Sequence, residues 1–166
     1  MPRLALILVA IFLTGCGGTA HQARPTSPRG SQPRPPTTPS PKLTDFSSRP
    51  PAAWLQTETG SFWLGYSSYC WTTVCADFVA PSCDDPEHTP KITVRRNEVV
   101  TAHLGFKPTE LGLQYLSGSR APTARDQRAL ELSTSPSWHA ERDGAFSLFA
   151  RTKSGDASYV ACFEFS

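Results

Sequence analysis

No apolar run in the chain is long enough to cross a bilayer. The longest, Leu4 to Leu13, stops at about ten residues, where a spanning helix needs about 20. Charge excess is also missing: the formal net charge is +2 over 166 residues, and neither half is basic enough to argue for nucleic acid. There is no G-x-S-x-G elbow, no H-E-x-x-H helix, no phosphate loop and no dinucleotide fingerprint. Those absences remove the enzymes whose chemistry is written in short spacings, and they leave no cofactor to expect. Internal repeats are absent as well. Histidines are few: His21 lies in a proline-rich stretch, and His88, His103 and His139 are scattered with no nucleophile near them in sequence. His103 falls on the opposite strand face from Val100, Ala102 and Leu104, so it is expected to face solvent. The sequence offers no catalytic residue.

What is present begins at the N-terminus. Met1-Pro2-Arg3 supplies one positive charge, the apolar run follows, and Leu13-Thr14-Gly15-Cys16 closes it. This arrangement suits a signal peptide. The four-residue close resembles the lipobox of bacterial lipoproteins. The resemblance implies cleavage before Cys16, which makes residues 1–15 a signal peptide. It implies a diacylglyceryl group on the Cys16 sulfur and further acylation, as by palmitate, of the Cys16 amine. One acyl chain anchors only marginally, and two or three make the attachment durable. The mature chain is then expected to sit outside the cytoplasm, lipid-anchored to the cell membrane or, in a cell with two membranes, the outer membrane. Gly17 stands where Asp would retain such a protein at the inner membrane. The plainer alternatives are an ordinary secretory signal with a chance Cys, or a short anchor left uncut.

Residues 16–53 follow as a linker. Between Gly17 and Ala53 stand nine prolines, many Ser and Thr, and few large apolar side chains. Such a stretch buries too little surface to offset its ordering entropy, so it is expected to be disordered with polyproline II character. Five basic residues (Arg24, Arg29, Arg34, Lys42 and Arg49) oppose Asp45 alone, whereas from Trp54 onward ten basic residues face thirteen acidic ones. A basic tether beside anionic lipid is attracted by about 1 kcal/mol per charge; the simpler reading is that the charge keeps the tail soluble.

Residues 54–166 carry short apolar runs broken by Gly, Pro, Ser and Asp, which is the punctuation of an all-β domain. Strands are expected at 61–65, 68–72, 74–78, 91–94, 99–104, 110–116, 129–133, 145–151 and 158–165. Alternation is clearest late, in Leu111, Leu113 and Tyr115, in Phe146, Leu148 and Ala150, and in Tyr159, Ala161, Phe163 and Phe165. Those residues are expected to line the inner face of a β-sandwich. Thr123 with Asp126 has the spacing of a capping box and predicts one or two helical turns, running into a strand.

The segments Tyr69-Cys70-Trp71, Val74-Cys75-Ala76-Asp77 and Gly155-Asp156-Ala157-Ser158-Tyr159, with Trp138 ahead of Gly144-Ala145-Phe146-Ser147-Leu148, resemble a family of small immunoglobulin-like domains in bacterial lipoproteins. That resemblance implies an immunoglobulin-like β-sandwich and no activity. The antibody pattern departs from it. Tyr159 stands three residues before Cys162, not two, which places the two on opposite faces of a strand. Trp71 directly follows Cys70.

With Cys16 lipidated, Cys70, Cys75, Cys83 and Cys162 remain, an even set in an oxidising compartment. Three pairings are open. Cys70–Cys75 with Cys83–Cys162 is favoured, because Trp71 to Val74 can turn and bring the first pair together. A Cys70, Cys75, Cys83 and His88 zinc site matches no compact zinc spacing. Asp84, Asp85 and Glu87 lack the ligand spacing of a calcium loop. Neither metal is expected.

The remaining hint is aromatic. Phe62, Trp63, Tyr66, Tyr69 and Trp71 crowd into ten residues, too densely for every ring to face one core. Trp63, Tyr66, Tyr69 and Trp71 are therefore candidates for an exposed binding platform, against the alternative that most are core. Two functions remain: a membrane-anchored, disulfide-stabilised binding or interaction module for an envelope protein or glycan, or an extracytoplasmic enzyme or accessory domain. A site joining His139 to a Ser and an Asp would favour the enzyme.

Overall fold

The alternation legible late in the chain becomes the centre of a large sheet. In a computed structural model that describes residues 33–38, 48–78, 80–116 and 123–166, the strands are β1 (Trp54–Gln56), β2 (Ser61–Trp63), β3 (Gly65–Trp71), β4 (Val74–Asp77), β5 (Lys91–Val94), β6 (Val99–His103), β7 (Glu110–Tyr115), β8 (Gln127–Ala129), β9 (Ser137–His139), β10 (Gly144–Thr152) and β11 (Gly155–Phe165). Residues 1–15, Cys16 and most of the linker lie outside the described residues.

The strands form a β-sandwich. A four-stranded sheet runs β2-β1-β6-β9, and a seven-stranded sheet runs β4-β3-β11-β10-β7-β8, with β5 parallel to the end of β11. Inward residues of β7, β10 and β11 meet Leu55, Val100, Ala102 and Trp138 of the smaller sheet in one core. Trp138 of β9 stands edge-on to Phe146 of β10 at 5.9 Å, and Phe146 lies 4.5 Å from Phe163. Each such ring or aliphatic side chain contributes about 1.5–3 kcal/mol when fully buried.

The opposite-face expectation for Tyr159 and Cys162 holds. Tyr159 points into the core, whereas Cys162 lies under the segment that carries Cys83, to which it is disulfide-bonded. The Cys162 N–H donates to the Pro90 carbonyl at 2.8 Å. Two phenols fix the chain as it enters β1: Tyr66 donates to the Pro50 carbonyl at 2.9 Å and Tyr159 to the Pro51 carbonyl at 2.7 Å. Burial pushes the Tyr66 phenol up to about 12 and raises that of Tyr159 further, so both remain donors at working pH.

Two strands escape the sequence reading. β1 and β9 have three residues each and place a single side chain, Leu55 or Trp138, in the core. One inward residue makes no alternation to read. The strand expected at 129–133 ends instead at Ala129. The Thr123–Asp126 box is present and gives one 3-10 turn, Ala124–Asp126. Packing also starts before Trp54: Ala53 is fully buried, and the described linker residues 33–38 touch β2.

Candidate functional site

The aromatic cluster divides in two, and the reason is a bulge. Ala157 and Tyr159 of β11, one residue apart from adjacency, pair with Tyr69 and Tyr66 of β3, which are separated by two. The extra residue on β3 resets its alternation. Tyr66 and Tyr69 therefore both face inward, 6 % and 2 % exposed, and contact each other edge-on at 6.1 Å. They belong to the core, which corrects the expectation that they join a platform. Trp63 and Trp71 remain partly exposed, on different surfaces.

Trp71 ends β3 and opens a cleft of about 370 Å³ with Phe106, Lys107, Pro108, Thr152 and Lys153 among its walls. The Trp71 and Phe106 rings lie 5.1 Å apart. Three local features hold this shape. Cys70 and Cys75 pair directly across the β3–β4 hairpin and are disulfide-bonded, with Cα atoms 4.0 Å apart. The hairpin turns through Thr72 at φ 53°, costly for a β-branched residue, while the Thr72 N–H donates to the Ser154 carbonyl at 2.6 Å. Gly155, at φ 141°, packs so closely that a Cβ there would fall 2.0 Å from the Cys70 carbonyl oxygen. The β10–β11 turn that carries Lys153 is thereby held beside the end of β3, and Lys153 lines the same cleft as Trp71. On the other wall, a Cβ on Gly105 would lie 2.6 Å from Pro51, the residue fixed by Tyr159, so Phe106 and Lys107 have a firm base. Both lysines are exposed and neither forms an ion pair among the described residues. A cleft lined by two aromatic rings and two exposed lysines can hold a small flat or sugar-like ligand with a negative charge. Sequence reasoning picked out Trp71 but missed Phe106 and Lys107, which come from the β6–β7 loop, and Lys153, which comes from the β10–β11 turn.

The second surface is the outer face of the four-stranded sheet. Register aligns Trp63, Trp54 and His103 in one cross-strand row. Trp54 stacks on His103 with centroids 3.7 Å apart and planes within 12°. His103 faces outward as expected, but the stack leaves it half-buried. Its Nε2 lies 3.1 Å from Gln56 Oε1 and its Nδ1 3.2 Å from Ser135 Oγ. Since Gln56 Oε1 can only accept, Nε2 carries the proton and Nδ1 accepts from the Ser135 hydroxyl. Burial lowers the His103 pKa and keeps the ring neutral. A neutral amide does not stabilise an imidazolium as a carboxylate does; the Gln56–His103–Ser135 hydrogen bonds order this face.

The other sequence candidates stand apart. His139 is exposed and donates through Nδ1 to the Asn97 carbonyl at 3.0 Å, and His88 pairs with Asp85 at 2.9 Å. The four described cysteines are joined as Cys70–Cys75 and Cys83–Cys162, so Cys70, Cys75 and Cys83 are disulfide sulfurs here. Among the described residues no three His, Cys, Asp or Glu side chains gather as a metal site. No family model, no curated protein and no solved structure matches the chain.

Proposed function

We propose that the chain is a lipid-anchored, extracytoplasmic binding protein whose immunoglobulin-like sandwich presents the Trp71–Phe106 cleft to an anionic envelope glycan. The observation that carries the reading is the cleft itself, lined by the Trp71 and Phe106 rings together with Lys107 and Lys153. Rings supply stacking area for a sugar face, and the ammonium groups supply the charge that selects a sugar acid over a neutral unit. Leu13-Thr14-Gly15-Cys16 and the following linker support the anchor, and the immunoglobulin-like motifs support the finer fold. Mass spectrometry of the native protein tests the anchor: a mature N-terminus at Cys16 carrying acyl chains is expected, and an unmodified Cys16 within an uncut chain would refute it. For the cleft, binding of a uronic-acid oligosaccharide to the full chain should fall at least tenfold in Trp71→Ala. It should also weaken with added salt, since the lysines are exposed and screened.

A further inference from the structure

A proline-rich segment lies against the edge of the smaller sheet, and its contacts are made in an unusual way. Among the described residues β2 pairs with β1 alone, which makes it an edge strand of the smaller sheet. The segment Pro33-Arg34-Pro35-Pro36-Thr37-Thr38 is poorly suited to add there as a strand, because three of its six residues have no N–H to donate. Side chains of β2 meet it instead. Ser61 Oγ donates to the Arg34 carbonyl at 2.9 Å, and Trp63 Nε1 donates to the Thr38 carbonyl at 2.8 Å. Ser61 and Trp63 share the outer face, since Phe62 between them turns toward the core. Within the segment Pro36 alone is half-buried.

This is how extended proline-rich chains are recognised: an aromatic surface and side-chain donors read carbonyls spaced along a backbone that cannot bond to itself. Arg34 and Pro35 each precede a proline and are held extended, so docking orders little that was not already ordered.

We propose that Ser61 and Trp63 form a recognition site for extended proline-rich peptide, and that the chain's own Pro33–Thr38 segment fills it in cis. The short connection from Thr38 to β1 gives the segment an effective concentration on the order of millimolar. A peptide of the same chemistry from elsewhere must displace it. The site is separate from the Trp71 cleft, and its test does not depend on glycan binding.

The experiment follows the indole N–H of Trp63 by NMR in the full chain, assigned by its loss in Trp63→Phe. In Pro35→Gly/Pro36→Gly, which changes no residue of the sandwich, this proton should exchange with solvent at least tenfold faster than in the wild type, while core resonances stay in place. Adding the free peptide Pro-Arg-Pro-Pro-Thr-Thr to that variant should return the resonance to its wild-type position in a saturable way. Equal exchange in wild type and variant would overturn the cis contact, and a variant whose Trp63 resonance ignores millimolar peptide would overturn the recognition site.

Discussion

The seven-stranded and four-stranded sheets share one core but are held together differently. The larger has strands of nine and eleven residues at its centre and receives both disulfides. In the smaller, three of the four strands have three residues each. No staple reaches it; it relies on Leu55, Val100, Ala102 and Trp138, and on the buried Glu98 carboxylate, which accepts the N–H groups of Glu58 and Arg95 at 2.5 and 2.8 Å. Both sheets have a positive φ in a turn, but the residue types differ. Asn97, before β6 of the smaller sheet, accepts it readily. Thr72, on the stapled sheet, is β-branched, and neighbouring constraints hold that costly backbone in place. The smaller sheet builds its outer surface from rings and hydrogen-bonded side chains.

Removing the staples separates the two disulfides from each other. Cys83 and Cys162 are 79 residues apart, Cys70 and Cys75 only 5. On the chain-entropy model Cys83→Ala/Cys162→Ala should cost about 4 to 5 kcal/mol and Cys70→Ala/Cys75→Ala about 2 kcal/mol. Denaturant melts of both variants measure this, and equal losses would contradict the ranking. Trp138→Ala tests the unstapled sheet, where one side chain anchors β9. A loss of about 3 to 5 kcal/mol is expected, with amide exchange accelerating first in β6 and β9. Uniform acceleration in both sheets would mean that they open as one unit.

Gly155→Ala presses on the join between the β10–β11 turn and Trp71. The added Cβ meets backbone, not a movable side chain, so a cost of about 1 to 3 kcal/mol is expected. Trp71 fluorescence should change as the hairpins part, and an unshifted spectrum would contradict the packing. The smallest effect is expected at Asp126. The hydroxyl and N–H of Thr123, followed by the Arg142 guanidinium 2.7 Å away, hold its carboxyl well below the usual carboxylate range. A depressed folded pKa contributes stability above the unfolded value, near ~3.9, and that stability is lost as pH falls below it. Asp126→Asn should therefore flatten the acid limb of the stability curve below about pH 4 and leave its shape near neutrality unchanged.

The sandwich was legible where strands were long enough to alternate, in Leu111–Tyr115, Phe146–Ala150 and Tyr159–Phe165. The disulfide pairing was legible because the turn from Trp71 to Val74 brings Cys70 to Cys75, which leaves Cys83 for Cys162. The site was only half legible. Period-two reasoning cannot register a bulge, so it could not tell that Tyr66 and Tyr69 both turn inward. It also could not bring Lys153 to Trp71, because that meeting depends on a glycine packed on a carbonyl 85 residues earlier in the chain. The Trp54–His103 stack likewise needed β1, a strand with a single inward side chain.

Isothermal titration of the full chain with a uronic-acid oligosaccharide and with its neutral methyl ester tests the cleft most directly. Saturable binding of the acid, at least tenfold weaker binding of the ester, and loss of that preference in Lys107→Ala/Lys153→Ala are the predicted results. Equal affinity for acid and ester, or an acid preference that survives removal of both lysines, would contradict an anionic ligand held in the cleft beside Trp71 and Phe106.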